Sequence, residues 1–170
     1  MSKAFTRESD DAPEPVLRSR AAPSLPPGAK NYLTPDGARK LNVELDELTN
    51  VERPPLAAAK ADAEANRRLS QIDQRIAHLQ RSILTAEIVP PPAPPWDTVR
   101  FGATVTVREP GGEETHYRLV GVDETDLDRD WISWVSPIAR ALLNARLGQR
   151  VKFKFPAGEK ELEIMGITYE

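Results

Sequence analysis

The feature that most constrains this chain is a long apolar seam. Leu69, Ile72, Ile76, Leu79, Ile83 and Ala86 recur at alternating intervals of three and four residues. That spacing lays one narrow stripe along one side of a helix and leaves charged residues on the rest. Such a stripe is covered by another helix. The partner precedes it, because Leu41, Leu45 and Leu48 also stand at helical spacing. Thr34 is a good N-cap, and Pro35 suits a first helical position. Residues 32–89 are therefore expected to form an antiparallel helical hairpin. Ala57 to Ala61 is strongly helix-forming, which sets the tip near Ala61 to Glu64 and makes Pro54-Pro55 a kink in the first helix. A competing reading breaks the chain at the prolines, since a residue before proline is pushed out of the α region.

Proline divides the rest, with 16 in the chain. Residues 1–31 combine prolines and charges with few large apolar groups, so a disordered arm is expected. The run Pro90 to Pro95 is expected to be a stiff, extended linker over residues 90–97. Beyond it the period changes. Ala103 to Arg108 alternates, Gly111-Gly112 marks a turn, and Thr115 to Val122 returns as a second strand. Asp130 to Val135 reads as a third. Ser136 and Pro137 then open a helix reaching Ala145 and stopping near Gly148. Val151 to Phe155 and Lys160 to Tyr169 are the last strands. The expected fold class is α+β, a helical coiled-coil hairpin followed over residues 98–170 by an antiparallel sheet carrying one helix.

Composition narrows the function. The net charge is −3, so any nucleic-acid contact would need a local basic face. There is no cysteine, and the two histidines, His78 and His116, lie far apart, so no metal site is expected. No apolar run is long enough for a membrane span, and Met1 to Asp11 lacks the apolar core of a secretory signal. A soluble cytoplasmic protein is the expectation.

Several blocks resemble a known family. Phe101 to Val107, Tyr117-Arg-Leu-Val-Gly-Val-Asp-Glu124, Ser136-Pro-Ile-Ala-Arg-Ala-Leu-Leu143 and Pro156-Ala-Gly-Glu-Lys160 are similar, in order and spacing, to the C-terminal domain of GreA/GreB transcription elongation factors. Leu33-Thr-Pro-Asp-Gly37, Glu52-Arg-Pro54 and Arg68 to Asp73 resemble the GreB hairpin. The resemblance implies a C-terminal domain folded like the FK506-binding proteins (FKBP-like), docked at the rim of the secondary channel of bacterial RNA polymerase. It implies a hairpin entering that channel, with tip acids that assist a magnesium ion in the polymerase active centre. Magnesium prefers hard oxygen ligands, which is why carboxylates are needed there. The resemblance implies a factor that is not itself an enzyme and meets nascent RNA at most indirectly.

The sequence also departs from this family. The acidic tip motif, Gly-Asp-x-x-Glu-Asn or close to it, is missing. A deficit of roughly a dozen residues between Pro54 and Ile72, shared by two helices at about 1.5 Å per residue, retracts the tip by about 10 Å. Asp62 and Glu64 remain as candidate tip acids, or as solubilising charges at an exposed turn. Arg67, Arg68, Arg75 and Arg81 either line a face toward RNA and the channel wall or form a solvated helix surface. Ser133 to Pro137 matches the polymerase-docking stretch, with Ser133, Val135, Ser136 and Pro137 as candidates, while Ser136 and Pro137 read equally as a helix cap. Trp131 and Trp134, three apart on one strand, would face opposite sides, one of them in the core. His116 reads as a surface residue.

The reading is a Gre-type elongation factor with transcript-cleavage stimulation reduced or lost. The alternatives are a channel-blocking competitor of true Gre factors and an FKBP-like prolyl isomerase. The last rests on fold analogy alone.

Overall fold

The computed structural model describes residues 24–59 and 61–170. The arm expected over residues 1–31 lies mostly outside the described residues. In its described end the Ala29 amide donates to the Pro26 carbonyl at 3.0 Å, and Lys30 pairs with Glu87 at 2.9 Å.

Helix α1 (Pro35–Glu47) begins at Thr34, whose hydroxyl accepts from the Gly37 amide at 3.0 Å. The cap satisfies an amide with no partner inside the helix, and Pro35 loses nothing at a position whose N–H is idle. The helix runs into one π-helical turn, Leu48–Glu52, and continues as α2 (Arg53–Ala58). Pro54 and Pro55 have no N–H to give back to the preceding turn, so a regular α ladder cannot pass through them. The Arg53 amide reaches back five residues, to the Leu48 carbonyl. The prolines therefore distort the outgoing helix without ending it. The chain reverses after them, where the Asp62 amide donates to the Ala59 carbonyl at 3.0 Å, and α3 (Ala63–Thr85) returns.

The seam is buried as its period requires. Ile72 and Leu79 are buried and Leu69, Ile76, Ile83 and Ala86 half-buried, while Arg68, Asp73, Ala77 and Gln80 between them are exposed. Leu79 packs with Leu33, Ala38 and Leu41 at the foot of the pair. A side chain taken fully out of water there contributes about 1.5–3 kcal/mol. Periodicity did not foresee how the foot is closed. Strands β1 (Asn31–Leu33) and β2 (Ala86–Ile88) pair in parallel, with Asn31 opposite Ala86.

The second half carries a five-stranded sheet in the order β5-β4-β3-β7-β6. Its strands are β3 (Thr104–Arg108), β4 (Glu114–Val120), β5 (Trp131–Ser133), β6 (Arg150–Phe155) and β7 (Gly158–Thr168). The expectation of a wholly antiparallel sheet is corrected at one edge, because β5 runs parallel to β4. The connection is not a hairpin. Two 3-10 turns, Val122–Glu124 and Leu127–Arg129, lead the chain back before β5 starts. A bulge opposite Thr106 and Val107 curls the sheet.

Helix α4 (Pro137–Leu142) opens on Ser136 as expected, with the Ala139 amide on the Ser136 hydroxyl at 3.3 Å. It ends sooner than its sequence suggested. Asn144 takes a left-handed φ of 66°, and residues 144 and 145 turn their backbone hydrogen bonds to Val99, at 2.8 Å each. Ala139 and Leu142 pack on Val105, Val107, Leu119, Leu162 and Ile164 to make the main core. The proline run has no regular structure, and its Pro94–Pro95 bond is cis, unlike an all-trans polyproline segment. No helix among the described residues is long and apolar enough to cross a membrane.

Candidate functional site

The tip of the helical pair places both candidate acids close in sequence and gives each an occupation. Asp62 is the N-cap of α3, and its carboxylate accepts from the Glu64 amide at 2.9 Å and the Ala65 amide at 3.4 Å. Local chemistry dictates this: a carboxylate at an N-cap meets idle amides and the positive end of the helix dipole. Glu64, in the first turn, pairs with Arg67 at 3.2 Å. An oxygen set for a hard cation would have to draw on these two groups. Among the described residues, no cluster of three or more His, Asp or Glu side chains could hold a metal ion.

Two of the four arginines have acidic partners and, among the described residues, two have none. Arg67 answers Glu64. Arg75 makes a two-point contact with Glu44 of α1, at 2.7 and 2.8 Å, which raises its pKa above that of an ordinary guanidinium. Arg68 and Arg81 are exposed.

The expected docking stretch divides by burial. Ser133 is 2% exposed and Val135 9%, so both side chains lie inside the fold. Ser133 closes β5 inside the fold and its hydroxyl accepts from the Val135 amide at 3.4 Å. Ser136 is half-buried as a helix cap, and Pro137 is exposed. The strand ends at Ser133, so strand alternation does not govern Trp134. Both tryptophans are half-buried. The Trp131 ring lies 4.6 Å from the Arg118 guanidinium and 4.9 Å from the Lys40 ammonium, while Trp134 stacks on Tyr32 at 5.1 Å. His116 is on the surface, with Nδ1 2.9 Å from the Thr106 hydroxyl.

Sequence reading missed the junction between the helical pair and the sheet. The turn Val122–Glu124 turns two neighbouring carboxylates toward two different helices. Asp123 meets His78 Nε2 at 2.7 Å and also accepts from the Ser82 hydroxyl. Glu124 accepts from the Thr34 amide at 2.9 Å, from the Gly121 amide at 2.9 Å, and from the Thr34 hydroxyl. The only hint in the sequence is that two acids follow a glycine between strands, a pattern shared by many surface turns.

A family model described as "Transcription elongation factor, GreA/GreB, C-term" matches residues 93–169. The transcription elongation factor GreB of Neisseria meningitidis serogroup B is 39% identical over 154 residues, covering 82% of this chain and 94% of that protein. The transcription elongation factor GreA of Rhodospirillum rubrum is 36% identical over 151 residues, covering 81% and 96%. Among solved structures, a prokaryotic transcription elongation factor GreA/GreB from Nitrosomonas europaea is 25% identical, with a TM-score of 0.41, covering 82% of this chain and all of that one.

Proposed function

Since the chain belongs to the GreA/GreB family of transcription elongation factors, we propose that it binds bacterial RNA polymerase at the secondary channel and regulates elongation in the cytoplasm. The division of labour follows the family. Residues 98–170 are an FKBP-like docking domain, residues 32–89 a coiled-coil hairpin that enters the channel, and residues 90–97 the linker. Docking runs through the exposed part of the 133–137 stretch, Pro137 with Ser136, and the buried Ser133 and Val135 set its shape.

Transcript-cleavage stimulation is reduced or lost. The observation that carries this is the state of the tip acids. Asp62 gives one carboxylate oxygen, Oδ1, to two backbone amides, and Glu64 makes an exposed pair with Arg67. A magnesium ion in the polymerase would compete with a helix cap and an ion pair for these carboxylates, at the end of a shortened hairpin. Such an ion is held at about 2.0–2.1 Å, so a shortfall of several ångströms is decisive. The factor supplies no chemistry of its own.

The test is a cleavage assay on stalled, backtracked complexes with the full chain. Little or no stimulation is expected. Strong cleavage that disappears in Asp62→Ala and Glu64→Ala would overturn the reduced-cleavage reading. The same engaged tip favours a second reading, in which the factor occupies the channel and competes with cleavage-active relatives. Displacement of such a relative, measured by recovered transcript length, separates competition from simple inactivity.

A further inference from the structure

We propose that Glu124 is a positioning residue that fixes the angle at which the helical pair stands on the sheet, acting through Thr34 and Gly37. Two structural units joined by a short segment move relative to each other unless the interface prevents it. Here the covalent connection is a proline run without regular structure, so the polar contacts of the junction matter. Glu124 supplies two that cross it and one that anchors the carboxylate to its own turn. Its carboxylate holds the Thr34 amide and hydroxyl on one side and the Gly121 amide on the other. The Thr34 hydroxyl in turn accepts from the Gly37 amide. One carboxylate is thereby tied into the first turn of α1, where the helix dipole favours negative charge.

The fit around this carboxylate is close enough to depend on two missing side chains. A Cβ at Gly37 would stand 1.9 Å from a Glu124 carboxylate oxygen, and one at Gly121 would stand 2.3 Å from the Tyr32 carbonyl oxygen. No φ requirement accounts for Gly37, and a side chain there would have to push the end of the Glu124 side chain out of its hydrogen bonds. The blocks Leu33 to Gly37 and Tyr117 to Glu124, read separately in the sequence, are thus two halves of one contact. Asp123 adds a second tether, to His78 and Ser82 of α3, so the Val122–Glu124 turn grips both helices. In its consequence for polymerase the inference rests on the function proposed above. Its structural part does not.

The chain has no cysteine, so a pair introduced at Gln74 and Lys152, both exposed, can be spin-labelled uniquely. The distance between them reads the arm angle in the free protein. The parent should give one narrow distance. Gly37→Ala and Glu124→Ala should each shift and broaden it, and Glu124→Gln, which keeps an acceptor oxygen, should restore part of the narrowness. The double variant should be no broader than Glu124→Ala alone, because the three atoms nearest the new Cβ all belong to the Glu124 side chain.

A narrow, unshifted distance in folded Gly37→Ala overturns the proposal, and so does a double variant whose broadening is the sum of the two. If Glu124→Ala fails to fold by circular dichroism, Gly37→Ala and Glu124→Gln decide the matter. A photocrosslinker placed at Ala61 then reads tip placement on polymerase. The variants should lose the crosslink of the parent while still binding. If the parent itself does not bind polymerase, the proposed function fails and the distance result stands by itself.

Discussion

Arg75 of α3 and Glu44 of α1 face each other across the helical pair, guanidinium to carboxylate, with contacts of 2.7 and 2.8 Å. The contact takes Arg75 out of the set of free cations and makes it a strut between helices. Both side chains are about two-fifths exposed (42% and 39%), so solvent screens the pair. Exposed pairs contribute about 0–1 kcal/mol, and two-point geometry puts this one toward the upper end. Glu44→Gln should cost up to about 1 kcal/mol in urea unfolding at low salt. The difference should shrink at high salt. A salt-independent loss would show that packing, not charge, is at stake.

Asp62 can be dissected by two substitutions. Asp62→Ala removes the cap of α3 and should cost about 1 kcal/mol, while Asp62→Asn keeps a capping oxygen and should cost much less. If the carboxylate serves only as a cap, Asn should also preserve whatever effect the factor has on elongating polymerase. Run-off transcription with both variants checks this. An effect lost in Asn as fully as in Ala would return the charge of Asp62 to the mechanism.

Leu79 anchors the foot of the pair and is completely buried. Leu79→Ala should destabilise by about 2–5 kcal/mol, the transfer loss plus the cavity left behind. Leu84, on the same helix but 86% exposed, is the control, and its alanine variant should stay within about 0.5 kcal/mol. Urea midpoints for the two separate burial from helix propensity.

Two tyrosines contribute to the loss of stability at alkaline pH. Burial pushes the phenols of Tyr117 and Tyr169 above the usual tyrosine range. A group whose folded pKa is raised contributes stability that is present below the unfolded value, about 10, and lost as pH rises through the folded one. Melting temperature should therefore fall from about pH 10 upward, and Tyr117→Phe should flatten the slope by removing one ionising group. A slope unchanged in the variant would exclude Tyr117 as a cause.

The parts of the fold legible in the sequence are those governed by local rules. The seam from Leu69 to Ala86 was read from its period, and Thr34 and Ser136 as caps from their own chemistry and the prolines after them. Two prolines without N–H groups announced an irregular turn, though not that it would be π-helical. The illegible parts are contacts between distant segments. Three-residue strands such as Asn31–Leu33 are too short to show alternation, and their pairing with Ala86–Ile88 leaves no mark on either segment. The direction of Trp131–Ser133 depended on two 3-10 turns that carry no period. At the candidate site, Asp62 and Glu64 were found by elimination at the turn. Ser133 and Val135 are candidates through the resemblance of 133–137 to a docking stretch, and a linear match carries no information on burial. The role of Glu124 is not legible because its partner across the junction, Thr34, is 90 residues away in sequence.

The parallel pairing of Asn31–Leu33 with Ala86–Ile88 has a last consequence. It makes everything between those strands one closed excursion that starts and finishes at the same place. The entropy of closing such an excursion changes slowly with its length, by about 0.6 kcal/mol for each doubling. Helical turns can therefore be added or trimmed at the far end while the foundation keeps the same strands and the same register. The reach of this protein is an adjustable dimension, and drift or selection can reset it as a mast is shortened, without rebuilding the deck.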